Sequence, residues 1–139
     1  DLPVSAGHQE LIELLSTMQN EKLLSVPVAL VTPSASGKTI TDWIMTGNVS
    51  HLPNYISKWI PVAAGSVSSA TDEQVSSLSK TLPIFAIYGN RDRMGKKTTE
   101  RLQSLAGAKT LELEGGHPCY LDSPDAFVDA ILENLGNYN

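Results

Sequence analysis

The chain has 139 residues, 41% of them hydrophobic, with ten basic against fifteen acidic side chains and a formal charge of −5. One domain of that size can bury a sizeable core, and the acidic balance argues against a nucleic-acid or anionic-membrane partner. No apolar run approaches the roughly 20 residues of a membrane-spanning helix, and the single cysteine, Cys119, excludes an internal disulfide and fits a reducing compartment.

The chain opens at Asp1-Leu2-Pro3 with neither a Met nor a secretory segment, so we expect it to be the later part of a longer protein. Residues 1–7 read as a loop. Leu11, Leu14, Leu15 and Met18 then fall on one face of an amphipathic helix over 8–19. Residues 20–25 lead to a short apolar, β-branched run at 28–31, the pattern of a buried parallel strand. Thr32-Pro33 close it, residues 34–37 are all small, and Ile40, Trp43 and Ile44 begin a helix that runs to about Met45 before Gly47-Asn48.

Residues 48–58 contain Pro53 and no clear period, and are expected to be irregular, part of a pocket roof. A second apolar run, 59–64, ends at Gly65; residues 66–71 read as a loop and 72–78 as a short helix capped by Thr71. Residues 83–88 are the clearest strand and stop at Gly89. Residues 96–106 read as a helix ended by Gly107, and 109–114 as a strand stopped by Gly115-Gly116. Ser123-Pro124-Asp125 has the composition of a helix start, and Phe127, Val128, Ile131, Leu132 and Leu135 would form that helix's buried face. Strands alternating with helices imply parallel pairing with right-handed crossovers, so the fold class is α/β.

Residues 26–42 form a strand, a turn of small residues and a helix, and they match two chemistries in part. As a nucleophile elbow, the stretch places Ser36 at the tip with Ser34 two before it, but Lys38 stands two after it instead of Gly. As a phosphate-binding loop, residues 32–39 fit except that Thr32 replaces the first Gly. The stretch by itself leaves both open.

Reactive groups in open α/β sheets gather beyond the carboxyl ends of the strands. Here those ends carry Ser36, then Asn90-Arg91-Asp92, then Gly115-Gly116-His117. A Ser, an acid and a His follow in that order, as in α/β-hydrolases. A serine hydroxyl needs a base to take its proton, a neutral imidazole is the base available near pH 7, and a carboxylate fixes its tautomer. The candidates are therefore Ser36 as nucleophile, Asp92 as acid and His117 as base, with the backbone N–H of Gly37 for the oxyanion. Plainer roles compete. Ser36 could be a turn residue or cap, Asp92 a helix cap, and Asn90 could lie near His117 in place of Asp92. His8 and His51 read as solvated surface, Cys119 as packing and Lys38 as a solvated side chain. The phosphate-loop reading also lacks its second strand ending in Asp to hold Mg²⁺.

Gly-Gly-His117-Pro-Cys-Tyr-Leu-Asp, Tyr-Gly-Asn-Arg-Asp92-Arg-Met-Gly and Thr-Pro-Ser-Ala-Ser36-Gly together resemble the α/β-hydrolase domain-containing protein 14 group, and Trp59-Ile-Pro-Val-Ala resembles the strand that follows the elbow there. The resemblance runs from about Val26 to the C-terminus. It implies Ser36, Asp92 and His117 as a catalytic triad and a soluble cytoplasmic or nuclear hydrolase of small acyl esters or acylated lysine, the alternative being a catalytically impaired binding or regulatory protein that keeps the fold. It implies no metal or tightly bound cofactor, with coenzyme A as a possible acyl acceptor by analogy alone. That fold has eight strands, and the four here resemble the last four. We therefore expect a fragment or truncated variant without the loop that donates the second oxyanion N–H, a loss typically of roughly 10²–10³ in turnover. The strand at 28–31 would be left with an unpaired apolar edge, open to the missing half or to self-association.

Overall fold

The structure, a computed structural model, describes residues 7–135. The expected loop at residues 1–6 lies outside the described residues. Four strands, β1 (Val28–Pro33), β2 (Ile56–Val62), β3 (Phe85–Gly89) and β4 (Lys109–Leu113), form one sheet in the order β1-β2-β3-β4, with every pair parallel. Helices α1 (His8–Asn20), α2 (Lys38–Thr46), α3 (Asp72–Ser77), α4 (Arg93–Ala106), α5 (Cys119–Asp122) and α6 (Pro124–Leu135) connect and cover them. No described helix is long and apolar enough to cross a membrane.

Side chains alternate along each strand, and the two faces of the sheet bury different helices. Trp59 of β2 and Ala86 of β3 join Leu15, Ile40, Trp43, Ile44, Val75, Leu102 and Ala106 in one core, so α1 to α4 share a face. Ile60, Val62, Phe85 and Ile87 point the other way, against Cys119 and Ala130 with Phe127 and Ile131 beside them. Three successive crossovers on one face, each advancing the sheet by one strand, are the geometry that right-handed connections produce. Every strand therefore ends on the same edge.

β1 is an edge strand, and Val31 on its α6-facing side is 37% exposed. At its end, the buried Thr32 accepts the indole N–H of the fully buried Trp59 at 2.8 Å. This accounts for a hydroxyl at Thr32, where a phosphate loop would begin with Gly. Thr32→Val should leave that N–H unpaired and cost about 1–3 kcal/mol, whereas Thr32→Ser keeps the acceptor and most of the stability. Urea unfolding of the two variants beside the parent measures the difference.

Three expectations are corrected. Residues 48–58 are ordered, with a 3-10 turn over Val49–Asn54 and β2 from Ile56, three residues earlier than the apolar run suggests. A register shift between Val28 and Ala29 skips Ser57, and that bulge hides the strand's period. Because this segment precedes β2, it lies at the amino ends of the strands and is no roof over the carboxyl ends. Helix α4 begins at Arg93 instead of Lys96. The one-turn α5 lies between β4 and α6, where the sequence suggested no element. On α6, Val128 and Leu132 are 52% and 59% exposed, and the buried face is centred on Ala130. The Thr71 cap is observed, reciprocated by Gln74 as a capping box.

Candidate active site

The carboxyl edge of the sheet holds a continuous chain of three side chains. Pro33 ends β1 in extended conformation, and Ser34, next in line, has φ of 48°. A non-glycine residue in that region costs of order 1–3 kcal/mol and persists only where its surroundings impose it. A 3-10 turn over Ser34–Gly37 then feeds α2. This is a sharp strand-to-helix turn with a serine at its tip, and the serine is Ser34. Its Oγ lies 2.9 Å from His117 Nε2.

His117 follows Gly115-Gly116 after β4, and its Nδ1 lies 2.8 Å from Asp92 Oδ2. Asp92 is buried and follows β3. Its other oxygen, Oδ1, accepts the backbone N–H of Gly95 at 2.8 Å, so the carboxylate both caps α4 and engages the imidazole. With Nδ1–H donating to Asp92, Nε2 is left as the acceptor for the Ser34 hydroxyl. Two glycines permit the approach. A Cβ on Gly89 would fall 2.4 Å from the Gly116 carbonyl oxygen, and one on Gly95 would fall 2.5 Å from Asp92 Oδ2.

A cleft of about 360 Å³ opens over these groups, with Ser34, Ala35, Asp92 and His117 in its wall beside Ala63 and Met94. Apart from the three polar members of the chain and Ser66, it is apolar.

The structure brings Asp92 and His117 together, and the serine it sets beside them is Ser34, not Ser36. Ser36 is exposed and its carbonyl accepts the Thr39 hydroxyl; it does not line the cleft. Gly37 is buried, and a Cβ there would fall 2.7 Å from Ala64 Cβ, so it allows close packing of the turn on the segment after β2. The residue after Ser34 is Ala35, whose N–H sits in the first turn and so lacks a partner within its own helix. A signal for Ser34 was present in the chain. Thr32-Pro33-Ser34-Ala35-Ser36 sets small residues two before and two after Ser34, whereas Ser36 has Lys38 two after it.

The competing readings resolve individually. Asn90 Oδ1 accepts the Gly115 N–H at 3.1 Å, so it ties two loops together and leaves His117 to Asp92. Lys38 pairs with Asp42 at 2.6 Å along the surface of α2. Cys119 is buried outside the cleft, and burial, followed by the nearby charges of Asp92 and Asp122, pushes its thiol above the ordinary range. His51 is exposed as expected, while His8 is only half-exposed and stacks on Trp43 with ring centroids 5.3 Å apart.

No sequence-family profile matches the chain. It is similar to "Putative protein-lysine deacylase ABHD14B" of Homo sapiens, 30% identical over 110 residues that make up 78% of this chain and 49% of that protein. It is also similar to "Protein ABHD14A" of Rattus norvegicus, 29% identical over 138 residues, 97% of this chain and 52% of that protein. The chain thus spans about half the length of these curated relatives. Among solved structures, a predicted CIB-like hydrolase from Thermoplasma acidophilum superposes with a TM-score of 0.65 at 22% identity, covering 94% of this chain and 58% of that one. The α/β hydrolase MGS-MChE2, from a lagoon-sediment metagenome, superposes with a TM-score of 0.61 at 13% identity over 96% of this chain and 74% of its own. The parallel sheet and its likeness to these solved structures show the α/β-hydrolase fold, and the chain is similar to the ABHD14 proteins over about half of their length.

Proposed function

We propose that this chain carries the catalytic residues of a serine hydrolase that removes acyl groups from small esters or from acylated lysine. The observation that carries this reading is the unbroken sequence of contacts Ser34 Oγ–His117 Nε2 and His117 Nδ1–Asp92 Oδ2. The name of the human relative, "Putative protein-lysine deacylase ABHD14B", supports the acyl-lysine branch.

Ser34 Oγ attacks the acyl carbonyl carbon as its proton passes to His117 Nε2. Asp92 holds Nδ1–H and stabilises the imidazolium. The carbonyl oxygen becomes an oxyanion, and the Ala35 N–H supplies one donor to it. Collapse of the tetrahedral adduct breaks the bond to the leaving oxygen or nitrogen, which takes the proton from His117. Water then attacks the acyl-Ser34 ester with His117 again as base, releasing the carboxylic acid and restoring the serine. The apolar cleft suits a neutral acyl chain. Among the described residues no Lys or Arg lines it.

Intact mass after exposure to a fluorophosphonate tests the reading, on protein shown to be folded by circular dichroism. One adduct is expected, mapped to Ser34 and absent from Ser34→Ala and His117→Ala but present on Ser36→Ala. A folded parent without adduct, or an adduct retained by Ser34→Ala, would overturn it.

A further inference from the structure

His117 opens the run His117-Pro118-Cys119-Tyr120-Leu121-Asp122, of which the triad uses one residue. The last member returns to the first. Buried Cys119 anchors the single turn of α5 against the core beneath α6, and the turn carries Asp122 back over the loop that precedes it. There Asp122 Oδ2 accepts the Gly116 N–H at 2.7 Å, one residue before His117. The same oxygen lies 3.4 Å from Arg91 Nη2, adjacent to Asp92. Gly115 shows that the fit is close. Its φ is 145°, and a Cβ there would sit 2.8 Å from both Asp122 Cβ and Oδ2.

We propose that Asp122 is a positioning residue for His117, holding from outside, through the Gly116 N–H, the turn on which the imidazole is mounted. This rests on the function proposed above for His117. The N–H bond matters more than the ion pair. A carboxylate accepting a backbone N–H is a short, charge-assisted bond, whereas the Arg91 and Asp122 side chains are 65% and 46% exposed, and such pairs contribute little. Removing the acceptor frees the backbone on which the imidazole is mounted, and small misplacements of a catalytic group are costly.

Asp122→Ala, Asp122→Asn and Arg91→Gln are to be compared with the parent. Turnover is counted per active site by fluorophosphonate titration, and the downfield Nδ1–H resonance of His117 is followed by proton NMR in a Ser34→Ala background. Asp122→Ala should lower kcat per titrated site about 10–100-fold, as loss of supporting hydrogen bonds typically does, with KM within about threefold. Its Nδ1–H resonance should broaden or vanish. Asp122→Asn, whose amide oxygen still accepts the Gly116 N–H, should recover most of the loss, and Arg91→Gln should stay close to the parent. A parent-like kcat and resonance in Asp122→Ala, or a loss confined to the number of titratable sites, would overturn the proposal. The resonance requires no turnover, so it decides the positioning role even if Ser34 proves inert.

Discussion

Replacing Ser34 by Ala should lower ester turnover by roughly 10⁴–10⁶-fold, while Ser36→Ala should stay within about threefold of the parent. The size follows from how such triads behave: their members act as a unit, so removing the nucleophile or the base alone costs nearly as much as removing both. His117→Ala and the Ser34→Ala/His117→Ala double variant should therefore reach the same residual rate as Ser34→Ala. The contrast between the two serines follows from direction. In a 3-10 turn, successive side chains are separated by about 120°. Two residues apart, Ser34 and Ser36 cannot both face the cleft, and it is Ser34 whose Oγ meets His117. Initial rates with 4-nitrophenyl acetate, on variants matched for circular dichroism, measure all four. A Ser36→Ala variant as impaired as Ser34→Ala, or additive losses in the double variant, would refute the assignment.

Gly95→Ala should damage both stability and turnover, although it adds a single methyl group to a helix. In an exposed helix interior, Gly→Ala is stabilising by about 1 kcal/mol. Here the added carbon would fall 2.5 Å from Asp92 Oδ2 and 2.8 Å from Ala63 Cβ. Overpacking of that kind costs typically 1–3 kcal/mol, so the clash should outweigh the helix propensity and leave a net loss of stability. The functional cost should be larger. Asp92 Oδ2 is the oxygen that meets His117 and Oδ1 is held by the Gly95 N–H, so a displaced carboxylate no longer fixes the imidazole tautomer. Weakening that role in a serine triad costs up to about 10⁴-fold in turnover, and Gly95→Ala should fall between 10²-fold and that limit. Urea unfolding and turnover on one preparation give both numbers. A variant more stable than the parent and fully active would show that Asp92 does not depend on this contact.

The sheet was legible because three of its strands contain short apolar runs and β4 alternates, each followed by Gly or Pro and separated by segments of helical period. Their order then implied parallel pairing, which placed Asp92 and His117 on one edge without knowledge of a single contact. Both lie just beyond their strands, close enough that a boundary error of one or two residues leaves them on that edge. β2 was read late because Ser57 sits in a bulge and interrupts its alternation. The start of α4 was read late because Gly95 weakens a helical pattern locally, although the structure uses that glycine for clearance around the Asp92 carboxylate.

What the sequence determined by itself is the α/β class, the direction of every strand and the placement of Asp92 and His117 on one edge of the sheet. Apolar periodicity and parallel connectivity dictate those through local pattern and chain direction. The choice between Ser34 and Ser36 belonged to the tertiary structure, since both are small hydroxylic residues of one turn. The positive φ at Ser34 arises where β1, held to the core through Thr32 and Trp59, must hand over at once to a helix packed on the same face. The clamp at Asp122 was equally out of reach. It depends on α5 folding back over Gly115, an approach that only the packed loop creates.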